Sequence, residues 1–137
     1  MFTSQTQIRI RYAETDKMGY VYYGNYAQFY EVGRVEALRN LGFTYKKLEE
    51  EGIMLPVYDM QSKFFRPAFY DDLLTIETAI LAIKGARIIF TYKLYRENQE
   101  LINEGQTTLV FVNYKTRTPC PPPSDLLEAL AKYSSKG

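Results

Sequence analysis

One long helical repeat followed by four extended segments constrains this chain more than any other feature. Tyr26, Phe29, Tyr30, Gly33, Ala37 and Leu41 recur at helical spacing. At about 100° per residue they share one face, while Gln28, Glu31, Val35 and Arg39 lie on or towards the opposite one. Asn25 followed by Gln28 resembles a capping box, and Gly42 is a natural stop. From Ile53 onward the pattern is extended, with strands expected at Leu55 to Arg66, Leu73 to Lys84, Arg87 to Arg96 and Leu101 to Tyr114. Ahead of the helix, Thr6, Ile8, Ile10 and Tyr12 alternate with Gln7, Arg9 and Arg11, the period of a strand with one buried face. A single helix cannot cover both faces of a five-stranded sheet. Either the sheet curls around the helix, or a partner chain covers its other face.

The punctuation agrees with that order. Breaks fall at Pro67-Ala68, Lys84-Gly85-Ala86 and Glu97-Asn98-Gln99. The two later ones are short enough for hairpins, so the sheet is expected to be antiparallel there. Thr44 to Glu51 reads as a short helix between the cap Thr44 and the stop Gly52. Thr116 to Pro123 is a Pro-rich strap, and Leu126, Leu127, Leu130 and Ala131 mark a terminal helix. With 137 residues, no internal repeat and no linker, the chain reads as one domain spanning 1–137.

Composition narrows the chemistry. The chain has no His, and its only Cys is Cys120, within the strap. Ser-His and Cys-His nucleophiles, His general bases and His-rich metal sites are excluded, and no metal site is expected. Catalysis must come from a carboxylate, a Tyr, a Lys or backbone dipoles. A net charge of +1 argues against a dedicated nucleic-acid binder. No window approaches the ~18 unbroken apolar residues of a membrane span. Met1 to Gln7 carries no signal-peptide pattern, and a lone Cys fits a reducing cytoplasm, the expected location. The stretch Asp16-Lys17-Met18-Gly19-Tyr20-Val21-Tyr22-Tyr23-Gly24-Asn25-Tyr26 then places one carboxylate in a Gly-containing loop that runs straight into the long helix.

The segment Arg11 to Tyr26, with Phe29-Tyr30-Glu31 behind it, resembles the active-site signature of hotdog-fold acyl-CoA thioesterases, nearest in pattern to the 4-hydroxybenzoyl-CoA thioesterase-like branch. Arg66-Pro67-Ala68 and Asp71-Asp72-Leu73-Leu74-Thr75-Ile76-Glu77 match as well. The resemblance implies an α+β hotdog fold, a curved antiparallel five-stranded sheet wrapped around one long central helix. It implies a homodimer or homotetramer with the acyl cleft between subunits, and Phe64 to Ala68 of one chain near Asp16 of the other. It implies hydrolysis of an acyl-CoA or acyl-carrier-protein thioester, with no cofactor beyond the coenzyme A that belongs to the substrate.

In the family, the aspartate matching Asp16 attacks the thioester carbonyl or activates water, and the backbone N–H matching Tyr23 faces the carbonyl oxygen. Physical chemistry agrees. An Asp with a reference pKa of about 3.9 is ionised at neutral pH. The free N–H groups and dipole at a helix N-terminus favour a developing oxyanion. Gly19 and Gly24 would let the backbone approach a ligand. Many relatives carry His where this chain has Tyr23, so only the backbone group carries over.

Substrate contacts are expected from Gly19, Val21, Tyr22, Asn25, Tyr26, Arg66 and Pro67. Lys84 and Arg87, flanking a hairpin, are expected to meet the coenzyme A phosphates, with Lys63, Lys115 and Arg117 as further candidates. A helix carboxylate does the chemistry in a related branch, but Glu31, facing away from Tyr26, Phe29 and Tyr30, is expected to be structural. Hotdog dehydratases rely on an active-site His and are set aside. The alternative to an enzyme is an acyl-thioester-binding or scaffold protein without turnover, and Asp16 favours the enzyme.

Overall fold

Phe29, Tyr30, Ala37 and Leu38 are almost completely buried along one side of helix α1 (Tyr26–Asn40) in the computed structural model, which describes residues 1–134. The last three positions of the expected domain, 135–137, lie outside the described residues. Gln28, Glu31 and Arg39 are exposed, as the helical spacing requires. Burying each large apolar side chain on the inward face is worth about 1.5–3 kcal/mol. Gly33 sits where the helix crosses the sheet. A Cβ there would lie 3.0 Å from Ile76 Cγ2 and closer still to Thr78 Oγ1, so only glycine permits this approach.

The start of the helix differs from expectation. A 3-10 turn, Tyr23–Asn25, leads into α1, so the backbone of Asn25 is already helical (φ −77°, ψ −13°) and its side chain makes no capping bond. The capping box with Gln28 therefore does not form. The other end behaves as read: Gly42 adopts φ +92° and the Phe43 N–H closes on the Leu38 carbonyl at 2.8 Å. The short helix α2 (Tyr45–Glu50) is capped by Thr44, whose hydroxyl accepts from Lys47 N.

The strands are β1 (Thr3–Arg9), β2 (Ile53–Met54), β3 (Val57–Phe64), β4 (Leu73–Lys84), β5 (Arg87–Tyr95), β6 (Leu101–Val110) and β7 (Val112–Asn113), followed by helix α3 (Ser124–Ser134). Five form one sheet in the order β1-β4-β5-β6-β3, every neighbour antiparallel. β2 and β7 pair separately. Register shifts in β3, β4 and β5 bend the sheet. Its inner face, carrying Ile76, Ile88, Phe90, Tyr92, Leu94 and Leu109, is buried, with α1 against β1, β4 and β5. The other face presents Gln5, Gln7, Glu77, Lys93 and Gln61. Of the two arrangements open from sequence, the sheet that wraps its helix is found.

Three strand boundaries shift. Leu55 to Arg66 is broken by Pro56, which has no N–H for a ladder; its carbonyl accepts from Val110 N, and Ile53–Met54 pairs elsewhere. The last long strand divides in the same way at Phe111, with Leu109 and Phe111 both buried. β1 stops at Arg9, and Tyr12 opens a 3-10 turn (Tyr12–Glu14) with its ring exposed instead of buried. β3 is an edge strand. It is exposed along its whole length except at half-buried Ser62, although Val57, Tyr58, Met60 and Phe64 are apolar.

Candidate active site

The loop bearing Asp16 is held closed at its base. Thr15 bridges Val21, and Asp16 N–H donates to the Tyr20 carbonyl at 3.1 Å. At its tip, Gly19 N–H donates to the Asp16 carbonyl, with Gly19 at φ +86°, a backbone angle that other residues reach only with strain. One carboxylate oxygen of Asp16, Oδ1, accepts from Met18 N at 2.8 Å. The other has no hydrogen-bond partner among the described residues. The loop is fixed to the rest of the protein by buried Val21, whose N–H donates to the Ala68 carbonyl at 2.8 Å.

The turn leading into α1 presents the donors. Asn25 N–H bonds back to Tyr22, and Tyr26 N–H to Tyr23. The N–H groups of Tyr23 and Gly24 precede these and have no acceptor within the turn, as at any helix start, where the dipole adds positive potential.

Asp16, Val21, Tyr23, Tyr26, Arg66 and Pro67 line one cleft of about 320 Å³, together with Met18, Tyr20, Phe64 and Phe65. The rings of Tyr26 and Phe64 meet edge to face, with centroids 5.0 Å apart. Phe65 and Arg66 are held in place by donating their N–H groups to the Ile102 carbonyl. Burial, and then the nearby Tyr30 phenol, push the Tyr26 phenol up to about 12, so it stays neutral across ordinary pH. The Tyr22 phenol is also raised, chiefly by the neighbouring Tyr23 phenol and in smaller part by the charge of Asp16.

The other expected residues are placed differently. Gly19 lies at the loop tip. The Tyr22 ring covers Gly24, where a Cβ would meet it. Asn25 turns away from the cleft and donates to the Glu14 carbonyl at 2.8 Å. Lys84 and Arg87 are not brought to Asp16 within the chain. β4 begins at Leu73, which pairs with Arg9 near the cleft, and runs eleven residues to Lys84, about 36 Å of extended strand. Arg87 stacks on the Tyr58 ring 4.5 Å away, and Arg117 on Tyr114 at 4.8 Å. Lys63 borders a shallow groove on the sheet with Lys93 and Glu104. Glu31 is exposed, and among the described residues its only ion pair is a 4.0 Å contact to Arg34.

Two features were missed in the sequence. Phe64 and Phe65 line the cleft of their own chain beside the expected Arg66 and Pro67. The signal was the Phe64-Phe65 pair just before the Arg66-Pro67 break. Glu14 was passed over as a loop residue. It is 5% exposed, and its carboxylate accepts from Arg11 N at 2.7 Å. Among the described residues no group of three His, Cys, Asp or Glu side chains could hold a metal ion. Among the described residues, no helix is long and apolar enough to cross a membrane.

This cleft, lined by the Asp16 loop and the turn that opens α1, can be set against known proteins. The model of the thioesterase-like superfamily matches residues 10–130. A putative acyl-CoA thioesterase of Bacillus subtilis, YneP, is 33% identical over 119 residues, covering 87% of this chain and 86% of that protein. The Escherichia coli acyl-CoA thioester hydrolase YbgC is 34% identical over 106 residues, covering 77% of this chain and 79% of its own length. Among solved structures, a DHNA-CoA thioesterase from Staphylococcus aureus superposes with a TM-score of 0.94 at 35% identity, covering 98% of this chain and 93% of that one.

Proposed function

The chain belongs to the thioesterase-like superfamily, and on that premise we propose that it hydrolyses an acyl-CoA, or an acyl group on a carrier protein's phosphopantetheine, to the free acid and the thiol. Asp16 acts on the thioester carbonyl, and the Tyr23 N–H stabilises the oxyanion that forms. The observation that carries this reading is the shared cleft, which Asp16 and Tyr23 both line together with apolar side chains at the start of α1. If Asp16 is a base, water oxygen bonds to the carbonyl carbon, its proton passes to Asp16, the C–S bond breaks, and the thiolate takes that proton. If Asp16 attacks directly, its oxygen bonds to the carbonyl carbon, the C–S bond breaks and a mixed anhydride forms with loss of the thiolate; water then opens the anhydride, restoring the Asp16 carboxylate and releasing the acid and the proton that the thiolate takes. Neither route needs a cofactor beyond the substrate's own pantetheine.

Val21, Tyr26 and Pro67 give the acyl group its apolar wall, and Arg66 stands beside them in the cleft. A second copy of the chain covers the free edge of β3, where Val57, Tyr58, Met60 and Phe64 would otherwise stay in water. In the resulting homodimer or homotetramer, Lys84 and Arg87 meet the coenzyme A phosphates from a neighbouring subunit. Light scattering of a stable, active monomer would refute that assembly. The deciding experiment is free-thiol release from a panel of alkyl and aryl acyl-CoAs. Turnover of at least one, lost in Asp16→Asn, is expected. Tight binding of an acyl-CoA without thiol release would make the binding-protein reading the better one.

A further inference from the structure

We propose that Asn25 is a positioning residue that sets the Asp16 carboxylate and the Tyr23 N–H relative to each other, acting through the main-chain carbonyl of Glu14. This rests on the site reading given above. The Glu14 carbonyl accepts two hydrogen bonds, from Tyr22 N–H at 3.0 Å and from the Asn25 side-chain amide at 2.8 Å. The chain leaving that carbonyl reaches Asp16 two residues on. Tyr22 is the residue before Tyr23, and Asn25 ends the same turn. One oxygen therefore joins the carboxylate loop to the donor turn.

The loop side of this junction is already fixed. The Thr15–Val21 bridge closes the loop, and Val21 N–H anchors it to Ala68. Glu14 itself is tied to β1's exit by its buried carboxylate, which accepts from the Arg11 N–H and, at 3.4 Å, from the Arg11 guanidinium. What remains to be set is the tilt of the turn against the loop. The Tyr22 bond alone is a pivot; the Asn25 bond adds a second point, and two points fix an orientation. Asn25 makes no helix-capping bond and does not line the cleft, so its amide serves this junction instead of the substrate. The aim of an oxyanion donor matters steeply, since a misplacement of about 1 Å can cost about 100-fold in rate.

Steady-state kinetics on Asn25→Ala test this. The expected result is a kcat reduced about 10- to 100-fold, with KM and the affinity for a non-hydrolysable thioether analogue of the substrate unchanged. In the Asp16→Asn background the same change should cost clearly less than it does alone, because the donor no longer has a carboxylate to be aligned with. Asn40→Ala is the control: it removes a comparable side-chain bond, to Ser4 Oγ at 2.6 Å, at the far end of α1, and should leave kcat intact. If Asn25→Ala does not fold, Asn25→Asp keeps the shape, removes the donor and should show the same pattern. A folded Asn25 variant with normal kcat, a parallel loss of analogue binding, or a full additional loss on top of Asp16→Asn would each overturn the proposal. Normal turnover by Asp16→Asn alone would instead overturn the site reading, and the positioning role with it.

Discussion

The cleft at the start of α1 and the hydroxyl cluster beneath its middle are built from similar residues and treat them in opposite ways. Under the helix, Tyr30 bonds to Asn103 and to Ser62, and Asn103 also donates to Ser62 and to the Lys63 carbonyl, both at 3.0 Å. Tyr92 meets Thr107 at 2.6 Å, and the buried Arg34 donates to the Tyr45 hydroxyl at 3.0 Å. Among the described residues only Thr78 Oγ1 is buried there without a partner. At the cleft, one oxygen of Asp16 and the leading N–H groups of the turn are left open on a solvent-accessible surface. Buried polar groups are satisfied because leaving them unsatisfied costs about 1–3 kcal/mol each. The first region therefore holds the fold together, and the second is free to do chemistry.

The largest test of that contrast is Asp16→Asn. It preserves shape and the bond from Met18 N while removing the charge and the base. Turnover should fall by at least ~100-fold, with the melting temperature nearly unchanged, because the group is bonded only within its own loop. A large drop in melting temperature would place Asp16 with the structural residues instead.

Asn103→Ala should do the reverse. It removes one of the two bonds of the fully buried Tyr30 hydroxyl, leaving Ser62, and takes away the donor to the Lys63 carbonyl, at a cost of about 1–3 kcal/mol. Denaturant unfolding reads this directly. Any fall in kcat should be far smaller than that of Asp16→Asn, and a comparable fall would mean the two regions are one functional unit.

This division explains what was legible in the sequence. The helix face from Phe29 to Ala37 could be read because burial imposes a strict period, and the Asp16 loop only through its resemblance to a family motif, since an Asp ahead of a helix by itself reads as a turn or cap. The polar cluster could not be read, since Tyr30, Asn103 and Ser62 are far apart in sequence and meet only through the β3–β6 register, Phe64 opposite Asn103. Pro56 hid a strand break inside an apolar run. Asn25 carried the composition of a cap, but the turn beginning at Tyr23 moved the helix start ahead of it.

Alkaline pH separates the two regions more finely. Burial raises the phenols of Tyr92 and Tyr26 to about 12 from an ordinary value near 10. Their contribution to stability is complete below pH ~10, where both are neutral folded or unfolded. It is lost as pH rises towards ~12, because only the unfolded chain ionises readily. Tyr92→Phe and Tyr26→Phe should each flatten this alkaline decline in melting temperature. At neutral pH they should differ: Tyr92→Phe leaves the Thr107 hydroxyl without its partner, while the Tyr26 hydroxyl has no hydrogen bond among the described residues to lose. Equal neutral-pH costs would contradict the contrast.

Glu31→Gln should have the smallest effect. Glu31 stands on α1 close to both regions and belongs to neither. Its side chain is 66% exposed, and it reaches Arg34 only at 4.0 Å. Arg34 keeps its bond to Tyr45 without it, and exposed ion pairs contribute about 0–1 kcal/mol. Stability should therefore move by less than ~1 kcal/mol and kcat should stay close to that of the unmodified protein. The same variant is the sharpest check on which carboxylate does the work. If Glu31→Gln were inactive while Asp16→Asn turned over normally, the reaction would run from the helix face, and the open donors at Tyr23 and Gly24 would need another explanation.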